Sequence, residues 1–253
     1  MVLKMGDFVR INYIGKIKET GEVFDTTYEK VAKEHGIFDP KITFKPQPVV
    51  IGARHVLPGI DKALVGAEVG EKNVIEVPPE DGYGKRDPSK VKVIPLREFK
   101  KKGVTPVPGM RLEVDDTIGR VQSVSGGRVR IDLNHGLAGK VLLYEVNVEE
   151  KTNKKEEKIR QLLELYLPFT DPHEYEITVK DKTVEIVVPD AVKLNPSASY
   201  GKFSAVRDIF TFIDDADGVV FKEIHQRLAP AAKEEKKPKK RQTKKKSKGA
   251  KSS

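Results

Sequence analysis

The residue types that carry covalent chemistry in most enzymes are either missing from this 253-residue chain or scattered through it. It has no cysteine, which excludes a disulfide frame, a thiolate nucleophile and a thiolate metal site, and agrees with a reducing compartment. The histidines, His35, His55, His135, His173 and His225, lack metal-ligand spacing, and no H-E-x-x-H occurs, so no metal site is predicted. No G-x-S-x-G marks a hydrolytic serine. The stretch Gly66-Ala-Glu-Val-Gly70-Glu71-Lys72 has three residues between its glycines where a phosphate-binding loop needs four, and it reads as a surface turn. What remains as a source of chemistry is aromatic and aliphatic, and no cofactor is called for.

The elements that must position such residues fall into several folded units, as the length predicts. Charged residues make up 34% of the chain, the mark of a soluble protein with a highly charged surface. Neither a signal-peptide run nor a membrane span is present, so a cytoplasmic protein with no membrane partner is the expectation. From Phe8 to Ile17 apolar residues alternate, with Val9, Ile11 and Tyr13 on one face, and Glu19-Thr20-Gly21 turns the chain before Val23 and Phe24. The Pro- and Gly-broken stretch from Thr27 to Pro48 is long for a connection. It is either a functional flap or hides a small helix from about Tyr28 to Lys33. Pro58 opens a short helix burying Ile60, Ala63 and Leu64, followed by a strand from Asn73 to Val77.

The β-rich domain is then interrupted and resumed. Between Lys85 and Asn134 lie a possible helix, Leu96 to Lys102, and a hairpin in which Val121 and Val124 face Val129, Ile131 and Leu133 across Gly126-Gly127. Leu142, Tyr144, Val146 and Val148 alternate again. Beyond the polar stretch from Glu149 to Glu157, Ile159, Leu162, Leu163 and Tyr166 form a helical stripe that Pro168 ends. A hairpin about Lys180-Asp181-Lys182 follows, then a second stripe of Phe203, Val206, Phe210 and Ile213, and a strand from Gly218 to Ile224. The order α-β-β-α-β predicts a small α+β domain. The domain limits read from sequence are 1–84 and 135–150 for the main β-domain, 85–134 for the insert, 154–228 for the α+β domain and 229–253 for a disordered tail.

Net charge separates the tail from the body. From Lys233 to Ser253, ten lysines and Arg241 stand against Glu234 and Glu235, a net +9 that accounts for the whole chain's +9. The body is therefore neutral, and any electrostatic case for a nucleic-acid partner concerns the tail alone.

Five blocks occur in order: Asn12-Tyr13-Ile14-Gly15, Gly21-Glu22-Val23-Phe24-Asp25, Val56-Leu57-Pro58-Gly59-Ile60, Gly82-Tyr83-Gly84, and Asn134-His135-Gly136-Leu137-Ala138-Gly139-Lys140. Together they resemble the FKBP-type peptidyl-prolyl cis-trans isomerases, and within these the SlyD-like branch with an insert-in-flap domain, in its long archaeal form. The resemblance implies an FKBP-like antiparallel sheet with a short helix, a small β-rich insert, and an attached α+β domain. It also implies an isomerase pocket. Tyr13 would form one wall and Phe24 with Asp25 the next. Val56 and Leu57 would form the lower edge, Ile60 the floor, Tyr83 the rim and Tyr144 the closing strand. Many members carry Trp at the floor position where this chain has Ile60. The Thr27 to Pro48 segment is also longer than the pattern.

Physical chemistry supports the same reading. Rotation about an X-Pro bond breaks amide resonance, with a barrier of about 18 to 20 kcal/mol. The planar ground state is the more polar one, so a dry apolar pocket favours the twisted amide. Tyr83 is expected to donate to the substrate carbonyl and Asp25 to orient Tyr13 or other donors. The plain alternative is that Tyr13, Phe24, Val56, Leu57 and Tyr144 only pack a core. His135 is expected to pin a strand junction.

The resemblance implies that the insert, with Val91, Val93, Ile94, Leu96, Phe99 and Met110, holds unfolded segments near the pocket; the plain reading makes these residues the insert's own core. The expected partners are unfolded or nascent polypeptides with X-Pro bonds. A salt-sensitive contact of the 233–253 tail with RNA or the ribosome is a further expectation. Two rival readings are a non-catalytic holdase or ribosome-associated peptide-binding module, and a structural RNA-binding protein resting on the tail alone.

Overall fold

In the computed structural model, which describes residues 1–225, the alternating run at the N-terminus forms β1 (Phe8–Ile17). One edge of β1 is shared by two strands: β2 (Val23–Thr26) pairs with it at Ile14–Lys16 and β3 (Gln47–Val50) at Phe8–Ile11. Along the other edge runs β9 (Leu142–Thr152), antiparallel over the full length of β1, and β4 (Lys72–Val77) pairs with β9 beyond it. The result is a five-stranded antiparallel sheet. Pro48 lies in β3, whose outer edge no strand pairs with, a place where a missing N–H costs no ladder bond.

The segment after β2 contains helix α1 (Glu29–Glu34) and then runs irregularly to β3. Helix α2 (Pro58–Leu64) starts on Pro58, as expected, but buries Ile60, Asp61 and Leu64 and leaves Ala63 exposed. The inward acid is explained by its partners: Asp61 accepts hydrogen bonds from the backbone N–H of Gly52 at 2.7 Å and of Arg54 at 3.2 Å. It thereby satisfies a turn in which Gly52 and Arg54 both have positive φ.

The insert forms its own sheet from β5 (Val91–Pro95), β6 (Arg111–Val114), β7 (Thr117–Ser125) and β8 (Arg128–Asp132), in the order β5-β8-β7-β6, with helix α3 (Leu96–Lys101) across it. Phe99, Val121, Val129 and Ile131 are its buried residues, and Ile94 and Leu96 pack against them. Of the apolar residues expected to face clients, Phe99 is thus withdrawn into the small core. Val93, at 56% exposure, and Met110, at 37%, do face solvent, joined by Val107 and Ile118. The two chain crossings into the insert are tied together: the Asp87 N–H donates to Asn134 Oδ1, and Asn134 Nδ2 donates back to the Asp87 carbonyl, each at 2.9 Å.

The C-terminal part comprises α4 (Lys155–Tyr166), β10 (Glu176–Lys180), β11 (Thr183–Val187), α5 (Asp190–Lys193), α6 (Ala198–Phe212) and β12 (Gly218–Lys222). Strands β10 and β11 form a hairpin turned by Asp181 and Lys182, both at positive φ, and β12 joins β11 in parallel. The face that α6 buries corrects the sequence expectation. Ala198, Gly201, Ser204, Ala205, Asp208 and Ile209 point inward, while Phe203 is 70% and Phe210 49% exposed. A Cβ on Gly201 would stand 2.3 Å from the Tyr166 carbonyl oxygen, so α4 and α6 approach too closely for large inner residues. Phe8 and Val50, from β1 and β3, belong to the same buried cluster as Ile159, Leu162 and Ile209. The C-terminal part therefore packs directly on the first sheet, and β1 is buried on both faces at that end.

The structure is α+β, with an FKBP-like antiparallel sheet, an inserted sheet and a C-terminal α+β part. Among the described residues no helix is long and apolar enough to cross a membrane. The expected disordered tail, 229–253, lies outside the described residues.

Candidate functional site

Gly15 allows the aromatic wall to assemble. It pairs with Asp25 on one side and Tyr144 on the other, and a Cβ there would come within 2.9 Å of the Tyr144 ring and 3.0 Å of Phe24. With no side chain at that point, Tyr144 packs against Tyr13 and Phe24, each with ring centroids 5.8 Å away, tilted in the first pair and edge-on in the second. Tyr13 is held by its backbone, whose N–H donates to Thr27 Oγ1 and whose carbonyl accepts from Thr26 Oγ1, both at 2.9 Å. Its hydroxyl donates to Asp25 Oδ2, also at 2.9 Å.

The lower edge comes from the turn that Asp61 fixes. Arg54, His55, Val56 and Leu57 emerge from it into a pocket of about 360 Å³, whose remaining lining includes Tyr13, Asp25, Gln47, Ile60, Tyr83 and Tyr144. Seven of the eight residues singled out in the sequence meet in this pocket. The eighth, Phe24, backs Tyr144 from the core side.

Sequence reasoning missed His55, Arg54 and Gln47 in the lining, and the role of His135. The His135 ring stacks on Tyr83 with centroids 4.3 Å apart and planes 10° from parallel. Its Nδ1 accepts from the Leu137 N–H at 3.2 Å, which fixes its orientation. His135 follows Asn134, the residue that ties the insert's two crossings, so the rim of the pocket and the root of the insert share one short segment. His55 accepts the Val50 N–H on Nδ1, which leaves its ring proton on Nε2, 3.0 Å from both Asp208 Oδ2 of α6 and Tyr166 Oη of α4. Neither link has a signal in local sequence, because both partners lie far along the chain.

Around Asp25 the pocket sets three neutral phenols. Burial, then the charge of Asp25, pushes the Tyr13 hydroxyl far above its ordinary value. Burial and the neighbouring Tyr83 and Asp25 do the same to Tyr144, and burial followed by Asp25 raises Tyr83. All three phenols keep their protons at neutral pH. Among the described residues no group of three or more metal-ligating side chains comes together.

Comparison with known proteins returns three family matches along the chain. Residues 2–100 match the FKBP-type peptidyl-prolyl cis-trans isomerase family, 92–137 the FKBP26 IF domain, and 155–226 the FKBP26 C-terminal domain. A short-type peptidyl-prolyl cis-trans isomerase of Methanocaldococcus jannaschii is 34% identical over 149 residues, 59% of this chain and 94% of that protein. A probable FKBP-type 16 kDa peptidyl-prolyl cis-trans isomerase of Pseudomonas fluorescens is 30% identical over 135 residues, 51% of this chain and 79% of that protein. The SlyD isomerase of Helicobacter pylori is 31% identical over 117 residues, covering 44% and 62% of the two chains.

Proposed function

Since the chain belongs to the FKBP-type peptidyl-prolyl cis-trans isomerases, we propose that it accelerates X-Pro isomerisation in unfolded polypeptides by desolvation and directed hydrogen bonding, with no covalent step. The observation that carries this reading is the convergence of Tyr13, Asp25, Val56, Leu57, Ile60, Tyr83 and Tyr144 on one pocket of about 360 Å³. A proline ring seated over Ile60 and against Val56, Leu57 and Tyr144 places its imide bond where water is scarce. Twisting the bond reduces its polarity, so the twisted state loses less on leaving water than either planar isomer. The Tyr83 hydroxyl, at the rim, donates to the carbonyl before proline and anchors that side of the bond while the prolyl side rotates. Asp25 accepts from Tyr13 and holds its ring against Tyr144.

In the same reading the insert is a chaperone element. Val93, Val107, Met110 and Ile118 offer apolar contact to unfolded segments, and tethering them beside the pocket raises the local concentration of proline bonds. The test is cis-to-trans turnover on proline tetrapeptides and on a refolding protein. Tyr83→Phe is expected to lower turnover of both substrates up to about tenfold, the scale of one positioning hydrogen bond lost. Removing residues 88–132 is expected to lower catalysed refolding much more than tetrapeptide turnover. A folded protein that binds proline peptides without turning them over leaves the non-catalytic holdase as the correct reading.

A further inference from the structure

Beside the pocket lies a second, larger cleft of about 710 Å³. Its walls come from two distant parts of the chain. One wall is the irregular segment before β3, with Ile42, Phe44 and Pro46; the other is the end of α4 and the loop after it, with Leu165, Pro168 and Phe169. Phe44 is steadied by stacking on Phe38, with centroids 5.6 Å apart. The cleft and the isomerase pocket are continuous, because Tyr13, Asp25 and Gln47 line both.

Glu164 and Lys45, one on each wall of the cleft, are matched in charge. Glu164 is buried on α4 and accepts from Arg10 at 2.7 Å, while Lys45 from the opposite wall pairs with its other oxygen at 2.5 Å. Arg10 also reaches the Pro46 carbonyl at 3.4 Å, joining β1, the irregular segment and α4. Beside that pair the cleft offers a ligand aliphatic, aromatic and proline surface interleaved with threonine hydroxyls and Gln47, with Lys41 and Asp171 also in the lining. Apolar surface alternating with hydrogen-bonding groups suits an extended polypeptide.

We propose that this cleft is an extended substrate subsite, which holds the polypeptide on one side of the X-Pro bond while the proline occupies the neighbouring pocket. The inference rests on the pocket reading above and goes beyond it: the C-terminal part then contributes directly to substrate binding. In this arrangement a tetrapeptide makes its contacts chiefly in the pocket. A chain about four residues longer extends roughly 13 Å further and enters it.

The full chain's lack of cysteine allows a reversible test. Thr43→Cys and Thr170→Cys, one at the edge of each wall, are each loaded with a bulky disulfide-linked adduct, and KM and kcat are measured before and after reduction. Substrates are a proline tetrapeptide and versions lengthened on either side. Without the adduct, lengthening on one side only is expected to lower KM about tenfold, equivalent to 1.4 kcal/mol. With the adduct that gain disappears, tetrapeptide turnover is unchanged, and reduction restores the gain. A gain that survives both adducts, or no gain on either side, overturns the subsite. Failure of the pocket reading appears separately, as tetrapeptide turnover unaffected by Tyr83→Phe.

Discussion

Fifteen buried residues form the cluster behind the aromatic pocket, and four form the one behind the insert's sheet. The larger cluster spans β1, β3, β4, β9 and α2; Tyr13, Gln47, Ile60 and Tyr144 project from these elements, and Val56, Leu57 and Tyr83, on connecting loops, pack against the cluster. The insert's elements share one aromatic, Phe99, as their anchor. On the proposed function, the pocket would gain from atoms held in place around a twisting bond and the insert's apolar surface from a smaller core behind it. One segment, Asn134 to Leu137, belongs to both regions.

The sharpest way to break this contrast is to remove the insert's anchor. Phe99→Ala is expected to cost about 3 to 5 kcal/mol, more than a core this small supplies. Hydrogen exchange would then show amides of β5 to β8 losing protection while β1 and β9 keep theirs. Equal loss in both sheets would mean that the regions are one cooperative unit. In the pocket the matching perturbation is Gly15→Ala, which drives a methyl into Tyr144 and Phe24 at 2.9 and 3.0 Å. Overpacking of that kind costs about 1 to 3 kcal/mol. It should lower Tm together with tetrapeptide turnover, whereas an unchanged turnover would deny that the aromatic wall is finely placed.

The shared segment is probed by His135→Ala, which removes the ring stacked on Tyr83. Such a pair contributes about 0.5 to 1.5 kcal/mol, so kcat/KM should fall several-fold. His135→Phe, which keeps a stacking face, should restore it; an equal loss in both variants would assign His135 to its loop alone.

The smallest expected effect concerns pH. Burial works to raise the carboxyl of Glu164, but the hydrogen bonds from Arg10 and Lys45 outweigh it and hold the pKa below the ordinary 4.5. Asp208 is held below 3.8 in the same way, with burial outweighed by Arg207, Tyr166 and His55. Folded-state values below the unfolded ones mean stability that is present above about pH 4.5 and lost as pH falls through the folded values. Tm should therefore drop on acidification, beginning with tertiary signals from the C-terminal part, and Glu164→Gln should blunt that drop. On the alkaline side Tyr13, Tyr83 and Tyr144 are all raised above 10.0, so turnover should stay flat up to about pH 10.

Much of this was legible in the sequence where the signal is local. The alternation at Phe8–Ile17 and Leu142–Val148, the Gly126-Gly127 turn and Pro58 at the start of α2 each place an element through backbone physics alone. Long-range packing was less legible. On α6 the large apolar residues, Phe203 and Phe210, mark the outer face, because the α4 contact is close enough to accept only Gly, Ala and Ser at its centre. Hydrophobic periodicity assigns the core to the largest residues and fails when proximity favours the smallest. Asp61 and His55 were missed for a related reason: their partners are backbone groups of a turn and side chains more than a hundred residues away.

The placement of β9 bears on the order in which this chain acquires its shape. It lies in the middle of the sheet, between β1 and β4, yet its residues are synthesised only after the entire insert. The sheet behind the pocket must therefore wait for a strand paired across more than a hundred residues, while the pairings within β5 to β8 span far shorter stretches, from the tight β6–β7 and β7–β8 hairpins to Val91 with Asp132, and close earlier. On a growing chain the insert is complete while β1 to β4 still lack their central partner and have apolar faces uncovered. The apolar surface nearest to its exposed Val93, Val107 and Met110 is then that of the unfinished strands of its own molecule.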